Sequence, residues 1–175
     1  MRILIVKTSS LGDVIHNLPV VSDIKSHFPD AVIDWCAEES FAAIPRLHPG
    51  VQEIIPVAVR RWRKQLLKAA TWRNLADARR RLQASSYDAI IDTQGLLKSA
   101  LLACQARGPV LGYAAESARE PAAARFYDRR FRVARDLHAV VRNRQLAAAA
   151  LGYTLQGDAD YGIEVAATNF DWLPH

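Results

Sequence analysis

Residues 1–17 read MRILIVKTSSLGDVIHN, and they combine the patterns of a strand, a turn and a helix start. The apolar, β-branched run over residues 2–6 predicts a buried strand. A turn of small and polar residues follows over 7–12, and Asp13 then stands immediately before an apolar pattern with helical spacing. A strand, a tight turn and a helix start, in that order, form the place where α/β proteins bind anionic ligands.

The sequence leaves two roles open for Asp13. A carboxylate at a helix start is a typical N-cap, and the local sequence by itself favours that role. The alternative is a carboxylate held ready for chemistry at the mouth of a cleft, with the positive charge of Lys7 six residues before it.

Strands and helices alternate along the rest of the chain. Further strands are predicted over 31–36, 52–57, 88–92, 110–113, 131–133 and, at most as a short strand, 161–165. Helices are predicted from Asn17 onward after a loose turn over 13–16, and then over 39–47, 71–84, 96–106 and 138–151, the last ended by Gly152. This alternation predicts an α/β fold: a doubly wound, mostly parallel sheet with helices on both faces. We expect one domain over 1–160, followed by the start of a linker over 161–175.

The composition is typical of a folded, soluble domain. Half of the 175 residues are hydrophobic and 23% are charged. No apolar run approaches the ~20 residues of a membrane span, and no secretory signal is visible at the amino terminus. Cys36 and Cys104 lie far apart in the sequence, so we expect reduced, core-lining thiols in a cytoplasmic protein.

Positive charge is concentrated in two stretches. Nine Lys and Arg residues stand against one acidic residue between Arg60 and Arg81, and eight Arg stand against three acidic residues between Arg119 and Arg144. Such clusters favour an anionic partner, and nucleic acid, anionic lipid head groups and phosphorylated sugars all fit that description.

The predicted sheet brings polar side chains to one rim, because ligands of parallel sheets bind at the carboxyl ends of the strands. A rim with one carboxylate and several cations suits an acidic, hydroxyl-rich ligand, since guanidinium groups bind carboxylate or phosphate and the carboxylate accepts a hydroxyl proton. These side chains are Lys7, Ser10 and Asp13 after the first strand, Arg60, Arg61 and Lys64 after the third, and Gln94 and Lys98 after the fourth.

Two features of this rim have simpler readings. The run over 60–64 is equally consistent with a solvated helix start, although Trp62 can pack inward and fix which cations face the cleft. His138 opens a helix and fits a cap better than a ligand contact, and His16 is more consistent with a structural role. No His, Cys, Asp or Glu residues stand at metal-ligand spacing, so we predict no metal site. The sequence also lacks a G-x-S-x-G motif and the glycine-rich nucleotide loops.

Several segments together resemble the lipopolysaccharide heptosyltransferases, which are ADP-heptose glycosyltransferases of the GT-B class, and they resemble type I more than type II. The resemblance covers nearly the whole chain in order. The segments are ILIVKTSSLGDVIHNLP (3–19), IPVAVRRWRK (55–64), YDAIIDTQGLLKSA (87–100), SAREPAAARFYDRR (117–130) and HAV (138–140).

The resemblance implies a fold of two Rossmann-like domains facing across a cleft. The amino-terminal domain would bind the Kdo-containing lipid A acceptor, and the carboxyl-terminal domain would bind the donor ADP-heptose. This chain would be the amino-terminal half, without the nucleotide-sugar domain, so we expect it to bind acceptor weakly and to transfer nothing alone.

The resemblance also assigns roles to the rim residues, residue by residue. Asp13 would be the general base that deprotonates the Kdo hydroxyl, and transfer would invert the anomeric carbon without metal or cofactor. Lys7, Arg60, Arg61, Lys64 and Arg119 would bind acceptor phosphate or carboxylate, or balance charge around the base. The polar cleft positions would be Ser10, Gln94 and His138.

The implied partners are Kdo-lipid A, ADP-heptose and the anionic inner-membrane surface. The protein would sit peripherally at the cytoplasmic face of that membrane, and no nucleic acid is expected. The alternative is a stand-alone anion- or nucleic-acid-binding α/β module without catalysis. The charge density supports that alternative, but the absence of a nucleic-acid-binding motif counts against it.

Overall fold

One parallel sheet of six strands organises the part of the chain that the computed structural model describes, residues 1–65 and 67–163. The strands are β1 (Arg2–Val6), β2 (Val32–Glu38), β3 (Val51–Val57), β4 (Ala89–Asp92), β5 (Val110–Tyr113) and β6 (Arg129–Phe131). The helices are α1 (Leu11–Ile15), α2 (Leu18–His27), α3 (Val59–Lys64), α4 (Ala69–Leu82), α5 (Leu97–Ala103) and α6 (Ala139–Leu151). The strand order is β3-β2-β1-β4-β5-β6 and every pairing is parallel, which confirms the predicted doubly wound sheet.

The strand β1 lies at the centre of the sheet, between β2 and β4. Its alternate residues point to opposite faces. Ile3 and Ile5 pack with residues of α2 and α6, whereas Leu4 and Val6 pack with residues of α4 and α5. Helices therefore cover both faces, and the apolar run that opens the sequence supplies the middle of both core layers.

The start of the first helical region differs from the prediction. Residues 13–16 do not form a loose turn, because Ser10 caps the short helix α1, which ends at Ile15. The second helix begins at Leu18 with Pro19 in its first turn, as predicted, and a proline there sacrifices no intrahelical hydrogen bond.

The helix predicted over 39–47 was also wrong. Two 3₁₀ turns, Glu39–Phe41 and Pro45–Leu47, occupy this region instead. Pro45 has no backbone N–H to donate to a preceding turn, and its ring opposes a continuous helix.

The helix α5 is predicted by its apolar spacing to turn Leu97, Ala100, Leu101 and Cys104 towards the core, and of these four residues only Ala100 is buried. Its small residues Ala100 and Ala103 are buried, whereas Leu97 and Leu101 are 38% and 46% exposed. Cys104 is likewise exposed, so the prediction that both cysteines line the core holds only for Cys36. A face of alanine lets α5 lie close to the sheet and to the 3₁₀ turn Pro121–Phe126, which leaves the larger side chains outside.

The end of the described chain agrees with the prediction in part. The strand β6 begins two residues before the predicted 131–133, and α6 ends at Gly152, whose φ of 78° is the left-handed conformation expected there. Residues 161–163 form no strand, and residues 164–175, which include the rest of the predicted strand and most of the predicted linker, lie outside the described residues.

Candidate functional site

The segment 7–13, which we call the base loop, leaves the carboxyl end of β1 and enters α1. Gln94 holds this loop from the end of β4. Its amide oxygen accepts hydrogen bonds from the Thr8 backbone N–H at 2.7 Å and from the Thr8 hydroxyl at 2.8 Å. Gln94 is only 2% exposed, so in this structure most of its side chain serves to support the base loop.

A buried carboxylate fixes Gln94 in turn. Asp92 is fully buried and accepts the Gln94 backbone N–H at 2.9 Å. It also accepts hydrogen bonds from the Ser99 hydroxyl and the Tyr127 hydroxyl, both at 2.8 Å. Burial raises the pKa of Asp92 and outweighs these hydrogen bonds, which lower it.

The carboxylate of Asp13 is half-buried and lies near Lys7 and Arg119. One of its oxygens accepts the Ser10 backbone N–H at 3.1 Å and the Ser10 hydroxyl at 3.2 Å, and the other accepts Arg119 Nη2 at 2.9 Å. Ser10, not Asp13, is therefore the N-cap of α1. Asp13 nevertheless helps to cap the helix from its third residue while it pairs with Arg119.

The charges around Asp13 keep it ionised. Burial raises the pKa of Asp13, but the hydrogen bond from Ser10 and the positive charges of Lys7 and Arg119 lower it. The lowering effects together are larger, so the pKa of Asp13 lies below its ordinary value. The site therefore holds a carboxylate, rather than a carboxylic acid, at neutral pH.

Lys7 lies inside the protein and is 3% exposed. Its ammonium donates to the Thr93 carbonyl at 2.9 Å and to Asn143 Oδ1 at 3.4 Å. Burial lowers the pKa of Lys7 to about 8, although Asp13 opposes that shift.

A small polar cavity joins the predicted residues to others that the sequence did not single out. Tyr113, Arg142 and Asn143 were missed because each stands in a segment that reads locally as core strand or alanine-rich helix. Arg142 lies one helical turn after His138, and that spacing was the available signal. The cavity is lined by Lys7, Thr93, Gln94, Tyr113, Arg119, Ala139, Arg142 and Asn143.

The basic residues of α3 lie over the ends of β2 and β3. Arg61 pairs with Glu39 at 3.0 Å, and the guanidinium of Arg60 lies 5.3 Å from the centre of the Phe41 ring. Trp62 is 6% exposed and packs inward, as predicted, which leaves Arg60, Arg61 and Lys64 exposed on the outer side of the helix. Their part in ligand binding stays a prediction.

The predicted histidine sits at the start of α6. His138 caps this helix, since its Nδ1 accepts the Val140 backbone N–H at 3.4 Å. Its ring meets that of His16 edge-on at 5.1 Å, so His16 also lies at this rim. Lys98 reaches the base loop as well, with its ammonium 3.0 Å from Ser9 Oγ.

Neither a metal-binding cluster nor a membrane-spanning helix is found among the described residues. Residues 1–65 and 67–163 contain no group of three His, Cys, Asp or Glu placed to hold a metal ion. None of the helices in those ranges has both the length and the apolar character needed to cross a membrane.

Known proteins match this chain in sequence and in structure. Lipopolysaccharide heptosyltransferase 1 of Pseudomonas aeruginosa is 51% identical over 169 residues, which cover 94% of this chain and 47% of that protein. The corresponding protein of Escherichia coli K12 is 48% identical over 165 residues, which cover 93% of this chain and 52% of that protein. The chain thus spans about half the length of the curated relatives it matches.

Solved structures match the fold as well. The E. coli heptosyltransferase WaaC with ADP has a TM-score of 0.90 at 48% identity, over 93% of this chain and 51% of that one. The same enzyme with ADP-2-deoxy-2-fluoro heptose has a TM-score of 0.89, over 92% of this chain and 52% of that one. E. coli heptosyltransferase II, at 21% identity and a TM-score of 0.67 over 95% of this chain and 47% of that one, shares the fold.

The sequence model of one family covers more than half of this chain. It describes glycosyltransferase family 9 (heptosyltransferase) and matches residues 75–171, which include β4, β5 and α6. The chain therefore belongs to glycosyltransferase family 9, the heptosyltransferases.

Proposed function

We propose that this chain is the acceptor-binding half of an inverting heptosyltransferase of lipopolysaccharide core biosynthesis. The complete protein would move heptose from ADP-heptose to a hydroxyl group of Kdo on the lipid A inner core. The observation that carries the proposal is the ionised carboxylate of Asp13, bonded at 2.9 Å to Arg119, which lines the polar cavity together with Lys7.

The relatives support the donor side of this proposal. The curated relatives carry the name lipopolysaccharide heptosyltransferase 1, and the structures of the E. coli relative contain ADP and ADP-2-deoxy-2-fluoro heptose. In our proposal the half of the fold beyond this chain holds most of the ADP-heptose. Transfer needs neither a metal nor a cofactor.

The proposed reaction uses Asp13 as a general base. Its carboxylate accepts the proton of the acceptor hydroxyl while that oxygen forms a bond to the anomeric carbon of heptose. The bond from this carbon to the ADP oxygen breaks, its electron pair leaves with ADP, and the configuration inverts. Because the pKa of Asp13 is low, the carboxylate is a modest base whose effect comes from its placement.

The cations would bind the acidic acceptor. Lys7 and Arg119 lie beside Asp13, and α3, which carries Arg60, Arg61 and Lys64, follows the carboxyl end of β3 as the base loop follows that of β1. Ser10, Gln94 and His138 complete the proposed rim; Ser10 and Gln94 shape the base loop, and His138 starts α6. Guanidinium groups suit the carboxylates and phosphates of such an acceptor.

The substitution Asp13→Asn in the full-length protein tests the mechanism. We expect turnover to fall by about a hundred- to ten-thousand-fold, because the amide cannot accept the hydroxyl proton, while the KM for acceptor changes little. The measurement is steady-state transfer of heptose to a Kdo-lipid A acceptor. Asp30→Asn, at an exposed turn, is the matched control, and near-normal turnover of the Asp13 variant would remove this residue from the role of base.

The acceptor is tested separately from catalysis. We expect this chain to bind a Kdo-bearing lipid A disaccharide more tightly than it binds random RNA of equal charge, with the difference persisting as salt is raised. Titrations of both ligands at several salt concentrations measure this. Equal affinities that fall equally steeply with salt would favour the stand-alone anion-binding module instead.

We further propose that the protein works peripherally at the cytoplasmic face of the inner membrane. The surface around α4 combines apolar and basic side chains: Trp72 is 61% exposed and Leu67 fully exposed, among exposed cations that include Arg73 and Lys68. Such a surface suits the headgroup region of a bilayer that contains anionic lipid.

A further inference from the structure

We infer that Asn143 is a positioning residue that fixes the ammonium of Lys7 relative to the helix that carries Asp13. Asn143 lies on α6, far in sequence from both residues, and is 2% exposed. Its contribution to transfer rests on the proposed function, whereas its effect on Lys7 does not.

The single side-chain amide of Asn143 makes three connections. Its oxygen accepts from Lys7 Nζ at 3.4 Å and from the Tyr113 hydroxyl at 3.2 Å. Its nitrogen donates to the backbone carbonyl of His16 at 3.4 Å. An ammonium can only donate and a carbonyl can only accept, so the orientation of the amide is determined by its neighbours.

The His16 contact ties this amide to α1. His16 is the C-cap residue of α1, and Asp13 lies three residues before it on that helix. One side chain therefore joins the buried ammonium of Lys7 to the end of the helix that presents the carboxylate, and a movement of either changes both. The backbone carbonyl of Thr93 holds Lys7 from the opposite side, at 2.9 Å.

The neutrality of Asn143 is part of this role. An amide oxygen directs the ammonium without cancelling its charge, whereas a carboxylate at this position would form a closed ion pair with Lys7. The charges that already act on Lys7 come from four elements: Asp13 on α1, Arg119 after β5, Asp92 on β4 and Arg142 on α6. A neutral partner on α6 keeps positive charge available at the cleft floor for an anionic ligand.

Two substitutions at this position predict opposite effects on Lys7. Asn143→Asp has nearly the same shape and adds a negative charge, so we expect the pKa of Lys7 to rise by about one unit or more. Asn143→Leu removes the acceptor without adding charge, so we expect the pKa of Lys7 to fall below its wild-type value. The direct measurement is an NMR titration of the Lys7 side-chain signal in this chain, and it requires no transfer activity.

Gln145→Glu is the control for Asn143→Asp. Gln145→Glu adds the same charge to α6 two residues away and should move the Lys7 titration by much less. A Lys7 titration that is unchanged in Asn143→Asp, or moved equally by Gln145→Glu, overturns the inference. Because Asn143→Asp is nearly isosteric, it decides the question even if Asn143→Leu fails to fold.

Transfer kinetics of the full-length protein separate positioning from simple support of the fold. We expect Asn143→Asp to raise the KM for acceptor by about tenfold, to change kcat less, and to move the alkaline limb of kcat/KM to higher pH. An equal loss in both variants with no movement of the pH profile would mean that Asn143 only stabilises the fold. If Asp13→Asn kept its turnover while the NMR shifts appeared, the proposed function would fail and the positioning of Lys7 would stand.

Discussion

The carboxylate of Asp13 accepts hydrogen bonds from Ser10 at the helix start and from Arg119 across the cleft. The same side chain therefore helps to cap α1 and pairs with a residue that lines the polar cavity. Local sequence presented these roles as alternatives, but the geometry allows both, because the two oxygens of a carboxylate can accept from different directions. The cap fixes the orientation of the group that would act as base.

The contribution of Lys7 to the folding stability of the chain depends on pH. Its pKa is lowered to about 8 in the folded protein by burial, from the ordinary value of 10.5. Between these values the unfolded chain binds more protons at Lys7 than the folded chain does, so stability from this residue rises with pH across that window. Below about pH 8 the cost of burying the ammonium is present in full.

A comparison of the wild type with Lys7→Met tests this prediction. We expect the free energy of unfolding of the wild type, relative to the variant, to increase from about pH 7 to about pH 10, since every other titrating group is shared. Urea unfolding of both proteins at several pH values measures it. A difference that is constant, or that decreases with pH, would contradict a lowered pKa for Lys7.

The locations of Lys7 and Asp13 could be predicted from the sequence more fully than the contacts of the residues that hold them in place. Lys7 and Asp13 follow a strongly patterned strand, so their location at the rim could be read directly. Gln94 could be placed at the rim, but not turned towards Thr8, because that contact joins residues far apart in the chain. Asn143 gave no local signal, since a buried polar residue in an alanine-rich helix is recognised only once the helix is packed.

At the scale of the elements, strands and α6 were easier to predict than α1 and α5. A continuous apolar run predicts a buried strand, and the glycine after α6 predicts where that helix ends. The helix α5 packs through alanines, which carry little periodic signal. The prediction followed the larger Leu97 and Leu101 instead, and these two residues are exposed. The short α1 buries only Val14 in the core and is capped by Ser10, so it carries little periodic signal of its own.

A substitution in β5 tests how closely that strand is packed. A Cβ atom on Gly112 would lie 2.4 to 2.6 Å from three atoms of the Tyr127 ring, whose hydroxyl donates to Asp92. We expect Gly112→Ala to destabilise the chain by about 1–3 kcal/mol, because the ring and its hydrogen bond must move. Urea unfolding gives this value.

Gly152→Ala is the matched control for that experiment. Nothing lies within 4 Å of a Cβ at this position, so the cost there comes from the left-handed backbone alone, about 1 kcal/mol. Gly112 does not have a left-handed backbone, so any loss in Gly112→Ala comes from packing, and a loss near zero would show that packing under Tyr127 adds nothing.

At the scale of the molecule, the sheet grows outward from β1 in both directions, with β2 and β3 on one side and β4, β5 and β6 on the other. That order brings the ends of β1, β4 and β5 together, and with them the base loop, Gln94 and Arg119. The two basic stretches separate: α3 and α4 lie towards one edge of the sheet, while Arg119 and Arg142 line the central cavity. Composition alone could not make that distinction.

The surface around α4 gives a prediction for the whole molecule. We expect the chain to sediment with vesicles that contain phosphatidylglycerol, to bind vesicles of phosphatidylcholine alone weakly, and to lose most binding at high salt. Trp72→Gln should reduce the remaining binding, because it removes an exposed aromatic side chain. Phe126→Gln, at a 38% exposed aromatic outside α4, is the control. Equal binding to both lipids would contradict the proposed surface.

The ion pair between Asp13 and Arg119 has a consequence for selectivity. The Arg119 side chain is 47% exposed, and ion pairs of this kind contribute at most about 1 kcal/mol, so the pair opens at little cost. A ligand anion that draws Arg119 away removes a charge that lowers the pKa of Asp13, and so makes the carboxylate a stronger base. A neutral sugar offers no such exchange. In the proposed reaction, the protein without ligand would therefore hold Asp13 as a weak base, and an acidic ligand would make it a stronger one.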